Sequence, residues 1–313
     1  MYPSLEPFDR GWLARPDGAE LYWETAGNPK GRPALYLHGG PGGSLGKGGY
    51  RRRFDPAKYF IIGLDQRGCG RSRPLTIDSP DTLALNTTQS LIRDLEALRE
   101  HFDLAGWLLH GVSWGSTLAL AYALEHPEKV TELVLTAVTT GSREEIDWIT
   151  EGVGILFPEA WENFASVRRG DERVVEAYAR LLRDPDPDIQ SAAAAAWDSW
   201  ESTHISLDPN WTPGPLHEDL RARKNFATLV THYWSNECFL QGDRRILDRL
   251  AELDGIPTVL IHGRHDVSGP VITPWRLHKA MTQSRLIVVE TEGHGGAEEM
   301  ELTTAATDEF AAH

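Results

Sequence analysis

A serine flanked by glycines lies between two apolar segments near the middle of the chain. Residues 107–109 form a short apolar run, the pentapeptide GVSWG (111–115) follows, and residues 118–124 have apolar side chains at helical spacing. In the order strand, tight turn, helix, a G-x-S-x-G pattern exposes its serine hydroxyl at the end of the strand. The glycines let the backbone turn without a clash at Cβ. The pattern predicts Ser113 as a nucleophile; the alternative is a glycine-rich turn whose serine has no chemical role.

Length and charge narrow the class of protein. The chain has 313 residues, 41% of them hydrophobic, which suits one large domain or a core with an inserted lobe. It carries 31 Lys and Arg against 46 Asp and Glu, a formal net charge of -15, without a basic run. Nucleic acid and anionic membrane surfaces are therefore poor candidates as partners.

The cysteines and the amino-terminal residues bear on location. Cys69 and Cys238 are the two cysteines, too few for a disulfide framework or a thiolate metal site. The first residues, MYPSLEPFDRGW, show neither the basic nor the apolar part of a signal peptide, and no stretch has the roughly 18 apolar residues of a membrane span. We therefore expect a soluble protein of the cytoplasm.

Strand-like runs alternate with helical segments over most of the chain. Strands are predicted at residues 20–26, 34–38, 59–65, 107–109, 130–138, 257–263 and 285–289. Helices are predicted at residues 86–102, 118–124, 274–281 and 298–311. Because the inner strands are almost wholly apolar, this alternation predicts a mostly parallel sheet covered by helices on both faces.

The alternation stops between about residues 141 and 237, where no strand is predicted. Helical segments lie at 174–182, 192–196 and 225–233, with proline-rich joints at 184–187 and 209–215. Six of the 11 tryptophans fall in this part of the chain, and although helix packing accounts for most of them, together they suggest a lid with an aromatic inner face. The expected division is a core of residues 1–140 and 238–313 with a helical cap of residues 141–237.

A serine hydroxyl needs a general base to take its proton and an acid to orient that base. In a sheet of this kind both follow later strands, in the chain order Ser, Asp or Glu, His. Asp266 lies three residues beyond the strand-like run TVLIHG, and His294 lies in the loop EGHGG that follows RLIVVE. Asp266 is therefore the predicted acid and His294 the predicted base. For either residue the alternative is a loop side chain satisfied by backbone hydrogen bonds.

Other histidines are weaker candidates for the base. His38 and His110 precede the two glycine turns, where an imidazole more often braces a loop. His262 and His265 lie beside Asp266 but come before any acid on a later strand. No cluster of His, Asp and Glu has the spacing of metal ligands, so we expect neither a metal nor a cofactor.

Attack on a carbonyl group creates an oxyanion, which needs fixed hydrogen-bond donors. One donor is expected from the N–H of the residue after the nucleophile, Trp114, and the other from the glycine loop HGGPGG (38–43), where Gly40 is best placed. The alternative for the loop is a tight turn that needs its glycines only for the backbone.

Six longer segments of the chain indicate a protein family more specifically than the single motifs do. They are HGGPGG (38–43), DQRGCGRSRP (65–74), NTTQSLIRDLEALREHF (86–102), GVSWGSTLALAYALEHPEKVTELVL (111–135), GRHD (263–266) and EGHGG (292–296). Together they resemble the prolyl aminopeptidases, or proline iminopeptidases, which are α/β-hydrolases of the prolyl-oligopeptidase-like class of serine peptidases. The resemblance runs along nearly the whole chain, and DQRGCGRS with GxSWGS is specific to this group among α/β-hydrolases.

The resemblance implies an α/β-hydrolase fold with an inserted helical cap and a metal-free enzyme that removes an N-terminal proline from peptides. It implies the triad Ser113, Asp266 and His294 and an oxyanion hole at Gly40 and Trp114.

The family also supplies glutamates from the cap to hold the free terminal amine, because a cation in an enclosed pocket needs a carboxylate partner. One lies in a segment like AWxxWE, which matches residues 196–201 here and makes Glu201 the expected anchor. The position of the second family glutamate is occupied by Val230.

Four further residues of this region are candidates for substrate binding, His232 among them, with packing as the alternative for that histidine. Glu237, seven residues after Val230, would share a helix face with it if the helix continued; the alternative is an ordinary carboxylate at a helix end. Tyr233 and Trp234, beside His232, are expected to line the pocket, with packing as the alternative for each.

The sequence leaves three alternative functions. The first is a serine aminopeptidase that releases N-terminal proline, or another small residue, from short peptides or amides. The second, favoured by Val230, is an esterase or amidase of the same fold acting on a specialised small molecule. The third is a non-enzymatic binding protein, against which the complete triad and both oxyanion elements argue. The residues indicate no particular oligomeric state.

Overall fold

The computed structural model of the protein describes residues 1–207 and 218–312. The proline-rich joint predicted at 209–215 lies outside the described residues. One sheet runs through the described part, with strands β1 (Asp9–Ala14), β2 (Glu20–Gly27), β3 (Arg32–Leu37), β4 (Tyr59–Leu64), β5 (Trp107–Val112), β6 (Val130–Thr136), β7 (Thr258–Gly263) and β8 (Ser284–Val289).

The order of strands across the sheet is β1-β2-β4-β3-β5-β6-β7-β8. All neighbours from β4 to β8 pair in parallel, whereas β2 pairs antiparallel with both β1 and β4. The predicted mostly parallel sheet is confirmed. Parallel neighbours place their carboxyl ends at one edge, so the loops after β3, β5, β7 and β8 meet there.

Strand β1 is absent from the sequence-based prediction. Its side chains are all exposed or half-buried, so it lacks the apolar run or the clean alternation that identifies a strand. It is formed instead by pairing with β2, from Asp9 opposite Thr25 to Ala14 opposite Glu20.

The described residues form nine α-helices. They are α1 (Thr88–His101), α2 (Trp114–Glu125), α3 (Arg143–Thr150), α4 (Pro158–Ala165), α5 (Val174–Leu181), α6 (Pro187–His204), α7 (Leu220–Ser235), α8 (Ile272–Ala280) and α9 (Ala297–Phe310). None of the helices in the described ranges combines the length and the apolar character needed to cross a membrane. Helix α2 is buried at every position but its last, which explains why its sequence is apolar on all sides.

Helices α3 to α7 lie between β6 and β7 in the chain and pack on one another. Their shared core is aromatic: the ring of Phe164 stacks on Tyr178 at 4.6 Å and on Trp200 at 4.9 Å between centroids. The indole of Trp148 donates a hydrogen bond to the Val267 carbonyl at 2.7 Å, which ties this helical segment to the loop after β7. Packing therefore accounts for most tryptophans of the segment.

Candidate active site

The turn between β5 and α2 holds Ser113 in a strained conformation. Its φ is +55° and its ψ is -124°, a region that L-residues rarely adopt and that marks functional turns. The serine N–H donates to the Thr136 carbonyl at 2.9 Å, which anchors the turn to β6. A β-carbon at Gly111 would overlap the Gly115 carbonyl, and one at Gly115 would overlap the Leu37 carbonyl. Both glycines are therefore needed for the hydroxyl to stand clear of the sheet.

The three residues predicted as nucleophile, acid and base lie in one hydrogen-bonded chain. His294 Nε2 lies 2.9 Å from Ser113 Oγ, and His294 Nδ1 lies 2.7 Å from Asp266 Oδ2. Asp266 is 3% exposed, and its other oxygen accepts from the Gly269 N–H at 2.8 Å. Because a carboxylate can only accept, Nδ1 carries the proton and Nε2 is left to accept from the serine hydroxyl.

The charges of the pair support this assignment. Burial disfavours the imidazolium form of His294, but the attraction and hydrogen bond of Asp266, helped by Glu299 and Glu201, raise its pKa above the ordinary value. Burial likewise favours the neutral acid at Asp266, yet His294, His262 and the Gly269 N–H lower the pKa of that carboxyl. Asp266 is therefore anionic over the range in which His294 exchanges its proton.

Two of the competing histidines, His262 and His38, bond to loop backbone, whereas His110 lies in β5 and bonds to β6. His262 accepts from the Val138 N–H at 2.9 Å and donates to the Gly269 carbonyl at 2.6 Å, which fixes the loop that carries Asp266. His38 Nε2 accepts from the Gln66 N–H at 3.0 Å. His110 lies 2.9 Å from the Val134 carbonyl, and burial beside Arg53 lowers its pKa to about 3.

Trp114 and Gly40 both line the cavity above Ser113. Trp114 is the first residue of α2, so its N–H has no acceptor one turn back in the helix, and its indole is fixed by donating to Gln66 Oε1 at 2.9 Å. Gly40 has φ +121°, and a β-carbon there would lie 2.5 Å from the Gly42 nitrogen. The backbone of both residues is thus held rigidly beside the nucleophile.

A cavity of about 360 Å³ covers Ser113 and His294. Its wall is mostly apolar and comes from the helical segment as well as from the sheet loops. The apolar wall includes Val112, Ile146, Ile149, Ile205, Phe226, Trp234 and Cys238. The predicted cavity residues Glu201 and Trp234 lie in this wall.

Glu201 brings a carboxylate into this apolar space. Its Oε1 accepts from the Trp197 indole at 2.7 Å, and no described residue forms an ion pair with it. Burial raises the pKa of Glu201 to about 7, against the lowering effect of the Trp197 hydrogen bond. A cationic ligand would therefore find an uncompensated acid in the cavity.

Tyr233 and Glu237 lie elsewhere. Tyr233 is buried behind the site, where its hydroxyl donates to Asn86 Oδ1 at 2.6 Å and its ring packs against Trp114 at 4.9 Å. Helix α7 ends at Ser235 and Glu237 has φ +49°, so the continuous helix that would place Glu237 on the face of Val230 does not form. The Glu237 carboxylate pairs instead with Arg143 at 3.3 Å, outside the cavity lining.

A histidine and a glutamate of the cavity wall are missing from the sequence-based candidates. His204 follows Glu201 by one helical turn in α6, a spacing that is visible in the sequence. Glu145 comes from α3, whose first turn it closes in a capping box with Ser142. The two cysteines are both buried and free, and burial raises the pKa of the Cys69 thiol, which makes it a poor nucleophile.

Comparison with known proteins places these features in context. The alpha/beta hydrolase fold family model matches residues 33–299. A protein named probable proline iminopeptidase from Streptomyces coelicolor is 47% identical, over 99% of this chain and 98% of its own length. The proline iminopeptidases of Arabidopsis thaliana (41% identical, 95% of this chain and 78% of the relative) and Neisseria meningitidis (40%, 94% and 93%) are also similar.

Solved structures show the same fold at lower identity. The proline iminopeptidase of Mycobacterium smegmatis has a TM-score of 0.65 at 21% identity, covering 97% of this chain and 98% of that one. An esterase from Exiguobacterium antarcticum has a TM-score of 0.60 at 21% identity, covering 96% and 99%. These two likenesses concern the fold alone.

Proposed function

We propose, from the premise that this chain belongs to the proline iminopeptidase family of α/β-hydrolases, that Ser113, His294 and Asp266 perform its reaction and that Glu201 binds the substrate amine. The chain is a serine hydrolase that releases an N-terminal proline. The observation that carries the assignment of residues is the hydrogen-bonded chain from Asp266 through His294 to Ser113 at the floor of a cavity that also contains Glu201.

Acylation begins when the Ser113 hydroxyl attacks the carbonyl carbon of the N-terminal residue. His294 Nε2, 2.9 Å away, takes the hydroxyl proton, and the Asp266 carboxylate stabilises the imidazolium that forms. The N–H groups of Trp114 and Gly40 stabilise the oxyanion. When the intermediate collapses, His294 gives its proton to the leaving amine, and the N-terminal residue remains as an ester on Ser113.

Deacylation repeats the sequence with water as the nucleophile. His294 accepts a proton from water, the oxyanion forms again, and collapse returns the proton to Ser113 and frees the N-terminal residue as an acid. The imidazole thus acts as base and then as acid in each half-reaction.

An aminopeptidase must also recognise the terminal amine, which lies one residue away from the bond that breaks. Glu201 and Ser113 line the same cavity, and each of Glu201 and His294 affects the pKa of the other. Glu201 therefore lies within electrostatic reach of the reacting centre, and an ammonium bound there leaves its carbonyl near the nucleophile.

We also propose that the helical segment of residues 141–237 acts as a cap. In its described part it contributes Ile146, Ile149, Phe226 and Trp234 to the cavity wall, and Glu201 as well. The triad comes from the sheet loops. The core would then supply the residues that carry out the reaction, and the cap would supply residues that bind the substrate. The cytoplasm stays the proposed location.

Two observations favour the second candidate, an esterase or amidase for a neutral small molecule. A pKa of about 7 leaves Glu201 partly protonated at neutral pH, and Val230 is buried and outside the cavity lining. Turnover of proline arylamide, N-blocked proline arylamide and a simple aryl ester separates the two. Cleavage of free but not blocked proline arylamide supports the aminopeptidase, and cleavage of the ester alone supports the alternative.

A further inference from the structure

His204 is a buried polar side chain in the cavity wall that the mechanism above does not use. It is 2% exposed, lies at the end of α6, and lines the cavity together with Glu201. Residues three apart on a helix share a face, so the two side chains project from α6 in the same direction.

We assign the ring proton of His204 to Nδ1 from the hydrogen bonds of Ser268. Nδ1 lies 2.7 Å from Ser268 Oγ, and Ser268 Oγ also lies 3.2 Å from the His204 carbonyl, to which it donates. The serine has one proton, and donating it to the carbonyl leaves its oxygen to accept from Nδ1–H. Burial lowers the pKa of His204 to about 4, so the ring is neutral and Nε2 is a bare acceptor.

That acceptor is unused. Nε2 is buried, and it has no hydrogen-bond partner among the described residues. Unsatisfied buried acceptors are uncommon in folded proteins because they lose their hydrogen bonds to water without replacement. An acceptor of this kind in the wall of a substrate cavity points to a donor on the ligand.

The donor follows from the chemistry of the substrate. The ammonium of an N-terminal proline is secondary and has two N–H groups, whereas every other N-terminal residue presents three. Glu201 and His204 offer one anionic and one neutral acceptor from the same helix face, which matches two donors.

We propose that His204 is a substrate-binding residue whose Nε2 accepts one N–H of the secondary ammonium of a bound N-terminal proline, while Glu201 accepts the other. The inference rests on the proposed function and deepens it.

The test uses two variants of His204 and one control. His204→Leu removes the acceptor, His204→Gln replaces it with an amide oxygen, and His232→Leu removes a buried histidine of α7 that bonds to Asn86 and lies outside the cavity lining. The substrates are L-proline p-nitroanilide and the p-nitrophenyl ester of cyclopentanecarboxylic acid, whose ring has the shape of proline without the nitrogen.

We expect His204→Leu to lower kcat/KM for the proline substrate by about 10- to 100-fold, the worth of one hydrogen bond to a charged group. Most of the loss should appear in KM, because the ammonium is bound equally before and during the reaction. The cyclopentane ester should be cleaved at the wild-type rate by all variants. His204→Gln should recover part of the proline activity, and His232→Leu should keep all of it.

Equal losses on both substrates would assign His204 a purely structural role, and an unchanged proline activity would also overturn the inference. Wild type that cleaves only the cyclopentane ester would refute the proposed function instead. Should His204→Leu not fold, histidine labelled with ¹⁵N in the Ser113→Ala protein gives the answer. The Nε2 resonance should shift with L-prolinamide and not with cyclopentanecarboxamide; no shift with L-prolinamide contradicts the proposal.

Discussion

The indole N–H of Trp197 donates to Glu201 Oε1 at 2.7 Å, one turn along the same helix. This bond occupies one oxygen of a carboxylate whose residue lines the cavity. Trp197 itself is packed in the aromatic core of the helical segment. The position of the Glu201 carboxylate is therefore set by packing within the helical segment.

Replacing Glu201 with Gln should impair recognition of the amine without harming the chemistry. Loss of a buried charge partner for the ammonium costs about 2 to 3 kcal/mol, or about 30- to 150-fold in kcat/KM for proline arylamide. Cleavage of a neutral aryl ester should persist. Glu237→Gln, in the carboxylate that pairs with Arg143 outside the cavity, is the control. Equal losses of kcat/KM for the arylamide and the ester would contradict the role of Glu201 as the amine anchor.

The pH dependence of kcat/KM should differ between cationic and neutral substrates. A cationic substrate needs an ionised Glu201, whose pKa is about 7, and a neutral His294, whose pKa is raised. Both conditions fail as pH falls, so the acid limb for proline arylamide should be steeper than that for an aryl ester, which needs only His294. In Glu201→Gln the two limbs should have the same slope. Acid limbs of equal slope for the two substrates in wild type would show that Glu201 does not titrate as the amine anchor.

Ser113→Ala should abolish turnover of arylamide and ester alike. Removing a serine nucleophile costs several orders of magnitude in kcat, about 10⁶-fold in a well-studied serine protease. A fluorophosphonate should add its mass to the peptide that contains Ser113 in wild type and leave the variant unlabelled. Ser235→Ala, at the end of α7 and outside the cavity lining, should label and react normally. Labelling of Ser113→Ala would assign the nucleophile to another residue.

Glu299 predicts a pH dependence of stability. It is 1% exposed, neither oxygen has a hydrogen-bond partner among the described residues, and burial raises its pKa to about 8. A carboxyl whose folded pKa is raised stabilises the fold below its unfolded pKa, near 4.3, and loses that contribution as pH rises toward 8. The loss is about 1.4 kcal/mol for each pH unit between the two values.

Glu299→Gln stays neutral, so its free energy of unfolding should fall less than that of wild type between pH 5 and pH 8. Urea unfolding at both pH values measures the difference, with Glu298→Gln as the exposed neighbour that should behave like wild type. A variant whose stability follows the wild-type curve would show that Glu299 is not buried as an acid.

The sequence predicted the parallel sheet because its inner strands are continuous apolar runs, and it predicted the positions of Ser113, Asp266 and His294 because each follows such a run. It could not predict β1, whose half-exposed residues form a strand only through pairing with β2. It also did not predict helices α3 and α4. Each has only eight residues and is stabilised at its start, by a capping box at Ser142 in α3 and by a proline in the first turn of α4.

The cavity wall was less predictable than the triad. The end of α7 at Ser235 is followed by three residues with positive φ, Glu237, Cys238 and Phe239, yet none of them is a glycine or proline that would signal the break. In the sequence, His204 cannot be told apart from a histidine packed in a protein core, because the lack of a partner for its Nε2 among the described residues is visible only in the structure. Such features depend on tertiary contacts, which no local pattern records.

The strand order also has a consequence for protein synthesis. Ser113 follows β5, near the middle of the sheet, whereas Asp266 and His294 follow β7 and β8, the last two of the described strands in sequence and in the order across the sheet. A growing chain on the ribosome therefore displays the serine long before it has the imidazole to activate it. Hydrolytic activity would switch on only after His294 has left the ribosome, so shorter nascent chains cannot act on the peptides around them.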